Sequence, residues 1–226
     1  MAVAFDAVLF DWMLTLAHYP SREEHVALAL GALGRPAGNR VVDEIVAAVV
    51  TAQKLSDVRE AASVEDTSTE AHVHSTYLLY ERAGIDAQLA DALYGFLGQS
   101  SFHAPYPDAK GVLRALHGAG IRLGVVSDIH VDLREHAAEF GLDSFIEAWA
   151  LSFELGFQKP DRRIFESAFN DLGCEPARSL MVGDQASQDG AAAELGLTCL
   201  ILPAPTRVTN RGLERVLQLA GVATAS

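Results

Sequence analysis

Short apolar runs recur along the chain, each ending in a polar group, and stretches with helical spacing lie between them. Ala7–Phe10 (AVLF) is apolar at every position and stops at Asp11, as a strand buried on both faces would. The same shape returns at Arg122–Ser127 (RLGVVS), around Ala148–Ser152, at Ser179–Asp184 (SLMVGD) and at Thr198–Pro203 (TCLILP). Asp108–His117, Asp132–Phe140, Asp161–Leu172 and Ala186–Leu195 carry the helical spacing. Strands alternating with helices of this length imply right-handed crossovers. The predicted class is α/β, a parallel sheet core with helices on both faces.

Residues from about Ser21 to Ser100 break the alternation, because they show helical spacing without a convincing strand. Ser21-Arg-Glu-Glu24 and Thr67-Ser-Thr-Glu70 read as capping boxes, Gly84 as a helix C-cap, and Arg40–Ala62 as one long amphipathic helix. Four helices are expected in this insertion. Pro20, Pro105 and Pro107 lie on its flanks and suit two linker strands. The division that follows is a core of residues 1–18 and 104–226 and a helical domain of residues 19–103. The last residues, GVATAS, are expected to fray.

Half the residues are hydrophobic and 21% are charged, a balance that can offset the entropy cost of folding. Thirty acidic against 17 basic residues give a formal charge of −13, which repels nucleic acid and anionic membranes, so neither is an expected partner. Cys174 and Cys199 are too few and too scattered for a disulfide framework or a zinc site. The opening MAVAFDAVLFDW has no basic region and reaches Asp6 and Asp11 too soon for a signal peptide. A cytoplasmic protein, monomer or homodimer, is expected.

The chemistry gathers at strand ends. Asp11 follows the first strand, Ser127 ends the second, Lys159 follows the third, and Asp184 and Asp189 follow the fourth. In open parallel sheets that edge holds ligands. Three carboxylates with water suit octahedral Mg2+, which seldom receives a full protein cage and often takes a phosphate oxygen. A phosphoryl dianion repels a carboxylate nucleophile, so magnesium, the Lys159 ammonium and the Ser127 hydroxyl are needed to neutralise it. Asp11 is the candidate nucleophile, forming an aspartyl phosphate that water hydrolyses in a second step. The expected partner is a small phosphorylated molecule.

These residues resemble the haloacid dehalogenase superfamily. The resemblance rests on Asp11-Trp-Met-Leu-Thr-Leu16, Val125-Val-Ser127, Glu154-Leu-Gly-Phe-Gln-Lys159-Pro160, Val182-Gly-Asp184 through Asp189-Gly190, and Ala-Glu-Leu-Gly at 193–196. It implies a Rossmann-like core, a mobile C1-type helical cap over the site, and magnesium held by Asp11, Asp184, Asp189 and the backbone carbonyl of Met13. For the substrate it implies Ser127, Asp128 and Lys159, with His18 added as the histidine nearest the first motif.

One position departs from the family pattern. Its phosphatases carry a second Asp two residues after the nucleophile, as a general acid and base; here that residue is Met13, and a thioether transfers no proton. Leu14 also replaces the usual glycine. Three readings compete. The first is a phosphatase whose substrate has a good leaving group or whose proton comes from His18, His72, His74 or His103. The second is carbon–phosphorus cleavage with Lys54 forming a Schiff base, as in the family's phosphonoacetaldehyde hydrolases. The third is a phospho-ligand-binding protein without turnover. Dehalogenases of the family also lack the second Asp but do not depend on magnesium, so the paired Asp184 and Asp189 argue against them.

Overall fold

A computed structural model of the chain describes residues 3–203, 205 and 209–223. β1 (Ala7–Phe10) leads into five helices, α1 (Arg22–Ala32), α2 (Asn39–Ala52), α3 (Ser56–Ala62), α4 (Thr69–Arg82) and α5 (Ala87–Leu97). The chain then runs through α6 (Ala109–Gly118), β2 (Arg122–Ser127), α7 (Leu133–Phe140), β3 (Ala148–Leu151) and the short α8 (Ser152–Leu155). It finishes with α9 (Arg162–Leu172), β4 (Ser179–Gly183), β5 (Thr198–Ile201) and α10 (Glu214–Ala220).

The strands form one parallel sheet in the order β3-β2-β1-β4-β5. β1 is central, with Ala7 opposite Arg122 on one side and Ser179 on the other, and all four of its residues are fully buried. Its side chains alternate between two cores. Val8 and Phe10 pack with Leu113, Leu133 and Val216, while Ala7 and Leu9 pack with Ile164, Phe165 and Ala192. The unbroken apolar run is therefore the mark of a strand covered on both faces. From β1 the chain builds outward through β2 and β3, then returns to place β4 on the other side of β1. That reversal opens a crevice at the C-terminal edge between β1 and β4.

The helices α1 to α5 bury a cluster of their own, including Val26, Leu30, Val42, Tyr80, Leu89 and Leu93. The Ser21 capping box is present with both of its hydrogen bonds, and Gly84 takes the left-handed conformation just past α4 at φ +71°. Three expectations need correction here. Arg40–Ala62 is two helices, not one, because the backbone turns at Gln53–Leu55 and lets α2 and α3 each lie against α4. The insertion therefore holds five α-helices among the described residues. The second capping residue is Ser68, which accepts from Ala71 N–H, while the Thr67 hydroxyl donates to the Val64 carbonyl.

Two further corrections lie near the sheet edge. Ala186–Leu195 is a 3₁₀ helix that begins only at Asp189. Asp108 does not cap α6 through its side chain; it accepts from the backbone N–H groups of Arg211, Gly212 and Leu213 and so caps the turn before α10. The expected fraying of 221–226 falls, for 224–226, outside the described residues. Among the described residues no helix is long and apolar enough to cross a membrane.

Gly124 in β2 is fixed by packing. A Cβ there would stand 2.9 Å from Leu9 Cδ2 and 3.3 Å from Leu172 Cδ1. Gly124→Val should lower stability by about 1–3 kcal/mol through overpacking, read as a lower urea midpoint at unchanged slope. An unchanged midpoint would show that this contact relaxes freely.

Candidate active site

The sheet ladder runs one residue past β1, since Asp11 N–H donates to the Val182 carbonyl at 2.9 Å. This holds the Asp11 carboxylate at the crevice, only 6% exposed. Lys159 lies between α8 and α9, where its backbone N–H donates to Asp128 Oδ1 at 2.8 Å. Its Nζ donates to Asp11 Oδ1 at 2.8 Å and to Asp189 Oδ1 at 2.7 Å. Asp189 Oδ2 accepts from the N–H groups of Asp184 at 3.0 Å and Gln185 at 2.9 Å. The residue before this loop is Gly183, and any Cβ there would collide with the Asp189 carboxylate.

Asp11, Asp184 and Asp189 each offer an oxygen, and these lie within 4.8 Å of one another. Lys159 pairs with two of these three carboxylates, Asp11 and Asp189, in a largely buried place. Burial raises the Asp11 pKa; the Lys159 ammonium opposes this and the Asp189 charge adds to it. Asp184 is pushed up to about 6 by burial and by the charges of Asp11 and Asp189. Asp128 is pushed up to about 7, chiefly by burial. Burial works against the Lys159 ammonium, but Asp11, Asp189 and Asp128 outweigh it and hold its pKa above the ordinary range.

The donor set fits a hard divalent cation, which would supply the missing positive charge. Its members are not equivalent. A carboxylate oxygen has two lone pairs, and Asp189 Oδ2 already accepts two N–H groups while Oδ1 accepts one from Lys159. Asp189 therefore has one acceptor place left and acts first as an organiser of the loop, whereas Asp11 and Asp184 carry freer oxygens.

The other expected residues separate clearly. Ser127 is fully buried and its Oγ has no hydrogen-bond partner; Asp128 Oδ2 is also buried and unpartnered. Met13 is half-buried and packs against the core cluster that includes Trp12 and Phe10. Leu14 takes φ +56°, so the turn after Asp11 keeps the left-handed conformation that glycine favours, despite the side chain. His18 lies in the linker, where its N–H donates to the Ala104 carbonyl and its ring lines a cleft of about 640 Å³ with Leu28, Phe96 and Phe102. That cleft contains none of the strand-end residues. His74 and Lys54 are exposed, and His103 is stacked on His136.

Sequence reasoning missed Arg211, whose Nε donates to the Leu14 carbonyl at 2.6 Å and whose Nη2 donates to the Leu202 carbonyl at 2.8 Å. It pins the turn after Asp11. Also missed were Asp66 and His130, which meet His72 where the helical segment touches the sheet edge. Burial pushes the His130 imidazole down to about 3, with His72 adding to the shift. No local pattern announces either contact, since the partners are distant in sequence.

Residues 5–196 match the haloacid dehalogenase-like hydrolase family. The chain belongs to that family. It is 34% identical over 115 residues to the glyceraldehyde 3-phosphate phosphatase of Methanothermobacter thermautotrophicus, covering 47% of this chain and 51% of that one. To the (S)-2-haloacid dehalogenase 4A of Burkholderia cepacia it is 30% identical over 122 residues, covering 54% and 50%. The chain spans about half the length of these curated relatives. A magnesium-bound HAD-hydrolase of Bacillus subtilis shares the fold with a TM-score of 0.72 at 18% identity, covering 96% of this chain and 99% of that one.

Two outcomes follow from this geometry. The folded-state pKa values of Asp184 and Asp128 lie above the ordinary carboxylate value, so the folded protein binds protons more tightly than the unfolded chain. Their contribution to stability is present at low pH and is lost as pH rises through about 6 to 7. The buried imidazoles of His103 and His130, pushed down to about 4 and about 3, act in the opposite direction and lose stability as pH falls below the ordinary histidine value. The carboxylate share is therefore read by difference: in metal-free protein Asp128→Asn should lower the melting temperature at pH 5 relative to that at pH 8, compared with the unsubstituted chain, and an unchanged difference would contradict the assignment. Gly183→Ala should displace the Asp189 carboxylate and lower divalent-cation affinity by about 10–100-fold, measured by titration calorimetry.

Proposed function

We propose that the chain is a magnesium-dependent phosphatase of small phosphorylated molecules, with Asp11 as nucleophile. The observation that carries this reading is the cluster of Asp11, Asp184 and Asp189 at the sheet edge beside β1, with the Lys159 ammonium bonded to Asp11 and Asp189. Asp11, Asp184 and one remaining place on Asp189 would hold the ion, with the Met13 carbonyl as the family pattern implies. Bound there, magnesium supplies charge that lets a phosphoryl dianion approach a carboxylate.

The chain's own residues do the rest. Lys159 holds Asp11 Oδ1 and so aims the other Asp11 oxygen at phosphorus. The unpartnered Ser127 hydroxyl has a donor to give, and a phosphoryl oxygen would satisfy it. The new bond is Asp11 oxygen to phosphorus; the bond that breaks is phosphorus to the leaving oxygen, which keeps the electron pair. Water then attacks the aspartyl phosphate, releasing phosphate and regenerating Asp11. We read residues 19–103 as a cap that covers the crevice and selects the substrate. The glyceraldehyde 3-phosphate phosphatase among the relatives supports a phosphate monoester.

Lys54 is exposed, whereas a Schiff-base lysine is activated by desolvation or a cationic neighbour, so carbon–phosphorus cleavage has no structural support. The dehalogenase relative and Met13 favour halide displacement as a second reading. The two chemistries differ in their need for the ion.

A panel of phosphate esters, acyl phosphates and 2-haloacids, each with and without magnesium, separates them. Phosphate release that requires magnesium and vanishes in Asp11→Asn is the expected result. Halide release without metal would overturn it. Met13→Asp should raise turnover of alkyl phosphates by about 10²–10⁴-fold, the usual worth of a general acid.

A further inference from the structure

A second cluster lies where the helical segment meets the sheet edge. Asp66 comes from the 3₁₀ turn Glu65–Thr67, His72 from α4, and His130 from the loop after β2. The turn is tied to the segment before Lys159, because Asp66 N–H donates to Gln158 Oε1 at 3.2 Å. His72 and His130 stack with centroids 3.4 Å apart and planes within 6°. Both present Nδ1 to the same oxygen, Asp66 Oδ1, at 3.2 Å from His72 and 4.0 Å from His130. All three side chains are largely buried, at 12%, 10% and 18% exposure for His72, His130 and Asp66.

We infer that Asp66, His72 and His130 form a metal site for a transition-metal dication of the zinc class, which clamps the helical segment onto the sheet. This cluster shares no residue with that of Asp11, Asp184 and Asp189, and its ion binding stands whether or not the chain turns over phosphate.

The donor chemistry favours that class of ion. Two imidazoles and one carboxylate form a borderline ligand set that suits zinc, where the all-oxygen cluster at Asp11 suits magnesium. With ligand bonds of about 2.0–2.1 Å, neighbouring donors in a tetrahedral site stand roughly 3.4 Å apart. The Nδ1–Oδ1 separations of 3.2 and 4.0 Å bracket that edge, and donor atoms of all three residues lie within 4.8 Å of one another. Binding requires the stacked rings to tilt, so that each nitrogen lone pair faces the ion. The fourth position would be taken by water.

The arrangement is also incomplete without an ion. At 4.0 Å the His130–Asp66 approach is too long for a hydrogen bond. His72 is held to Asp66 through Nδ1, the same atom it would offer to the ion. The nearby His103–His136 stack also joins the insertion flank to α7, at 4.6 Å, but His103 Nε2 lies 3.1 Å from the Leu97 carbonyl. No carboxylate completes a metal-capable group with that pair among the described residues, so it serves as an internal control.

The test counts zinc equivalents by equilibrium dialysis against zinc chloride, on Asp184→Asn protein so that the Asp11 cluster is weakened. One tight equivalent should remain. Adding His130→Gln, His72→Gln or Asp66→Asn should each raise its Kd at least about tenfold, while His136→Gln should leave it unchanged. Circular dichroism establishes that each variant is folded, and the three substitutions come from separate segments, so one failure to fold does not decide the outcome. Hydrogen exchange in residues 65–72 of the unmodified chain should slow when zinc is added, and should not slow in His130→Gln. The inference falls if Asp184→Asn protein keeps no tight zinc, if folded His130 and His72 variants bind as tightly as their parent, or if zinc leaves exchange unchanged.

Discussion

A single buried ammonium holds the sheet edge together. Lys159 is 3% exposed, and its partners Asp11 and Asp189 are 6% and 1% exposed. Charges removed from water cost several kcal/mol each unless geometry is good, and breaking such a pair on one side costs about 3–5 kcal/mol. Asp11 belongs to the end of β1, Lys159 to the loop before α9, and Asp189 to the turn after β4. Three segments distant in sequence therefore cannot drift apart without stranding a charge. Lys159 is positioned in turn by its backbone bond to Asp128, so the residue after Ser127 joins the same network from β2.

The neighbouring backbone is shaped to serve that ammonium. Asp189 uses one oxygen on the N–H groups of Asp184 and Gln185 and the other on Lys159, and Gly183 leaves the room that its carboxylate needs. On the β1 side, Leu14 holds a left-handed turn of order 1–2 kcal/mol in cost. Arg211 offsets it by taking the Leu14 carbonyl, while Asp108 fixes the backbone of residues 211–213. The glycine usual in the family is absent, but the turn it would make is not.

The strands were legible because both faces of a parallel sheet are covered, so AVLF or SLMVG can be read without knowing the partners. The strand-end polar residues were legible for the same reason: each marks where an apolar run must stop. What stayed hidden is tertiary. Gln53–Leu55 carries neither Gly nor Pro, and the break between α2 and α3 follows from packing against α4. The helix expected from Ala186 begins only at Asp189, after a loop whose Asp184 and Gln185 N–H groups are held by the Asp189 carboxylate. Asp66, His72 and His130 are ordinary surface residues to a local reading, and only the docking of α4 and its preceding turn on the β2 loop brings them into one cluster.

Met13 sets the remaining constraint on chemistry at this edge. The side chain packs against the apolar cluster that includes Phe10 and Trp12, and a thioether transfers no proton. A general acid matters in proportion to the basicity of the leaving oxygen. Alkoxides leave poorly without a proton, whereas carboxylates and phosphates leave readily as anions. Among the expected histidines, His18 faces the Leu28–Phe96 cleft, His74 is exposed and His103 is engaged with His136. His72 is turned to Asp66. On the proposed chemistry, the charge network would neutralise the phosphoryl group of any phosphorylated substrate alike, while the missing acid would slow most those whose leaving oxygen is a basic alkoxide.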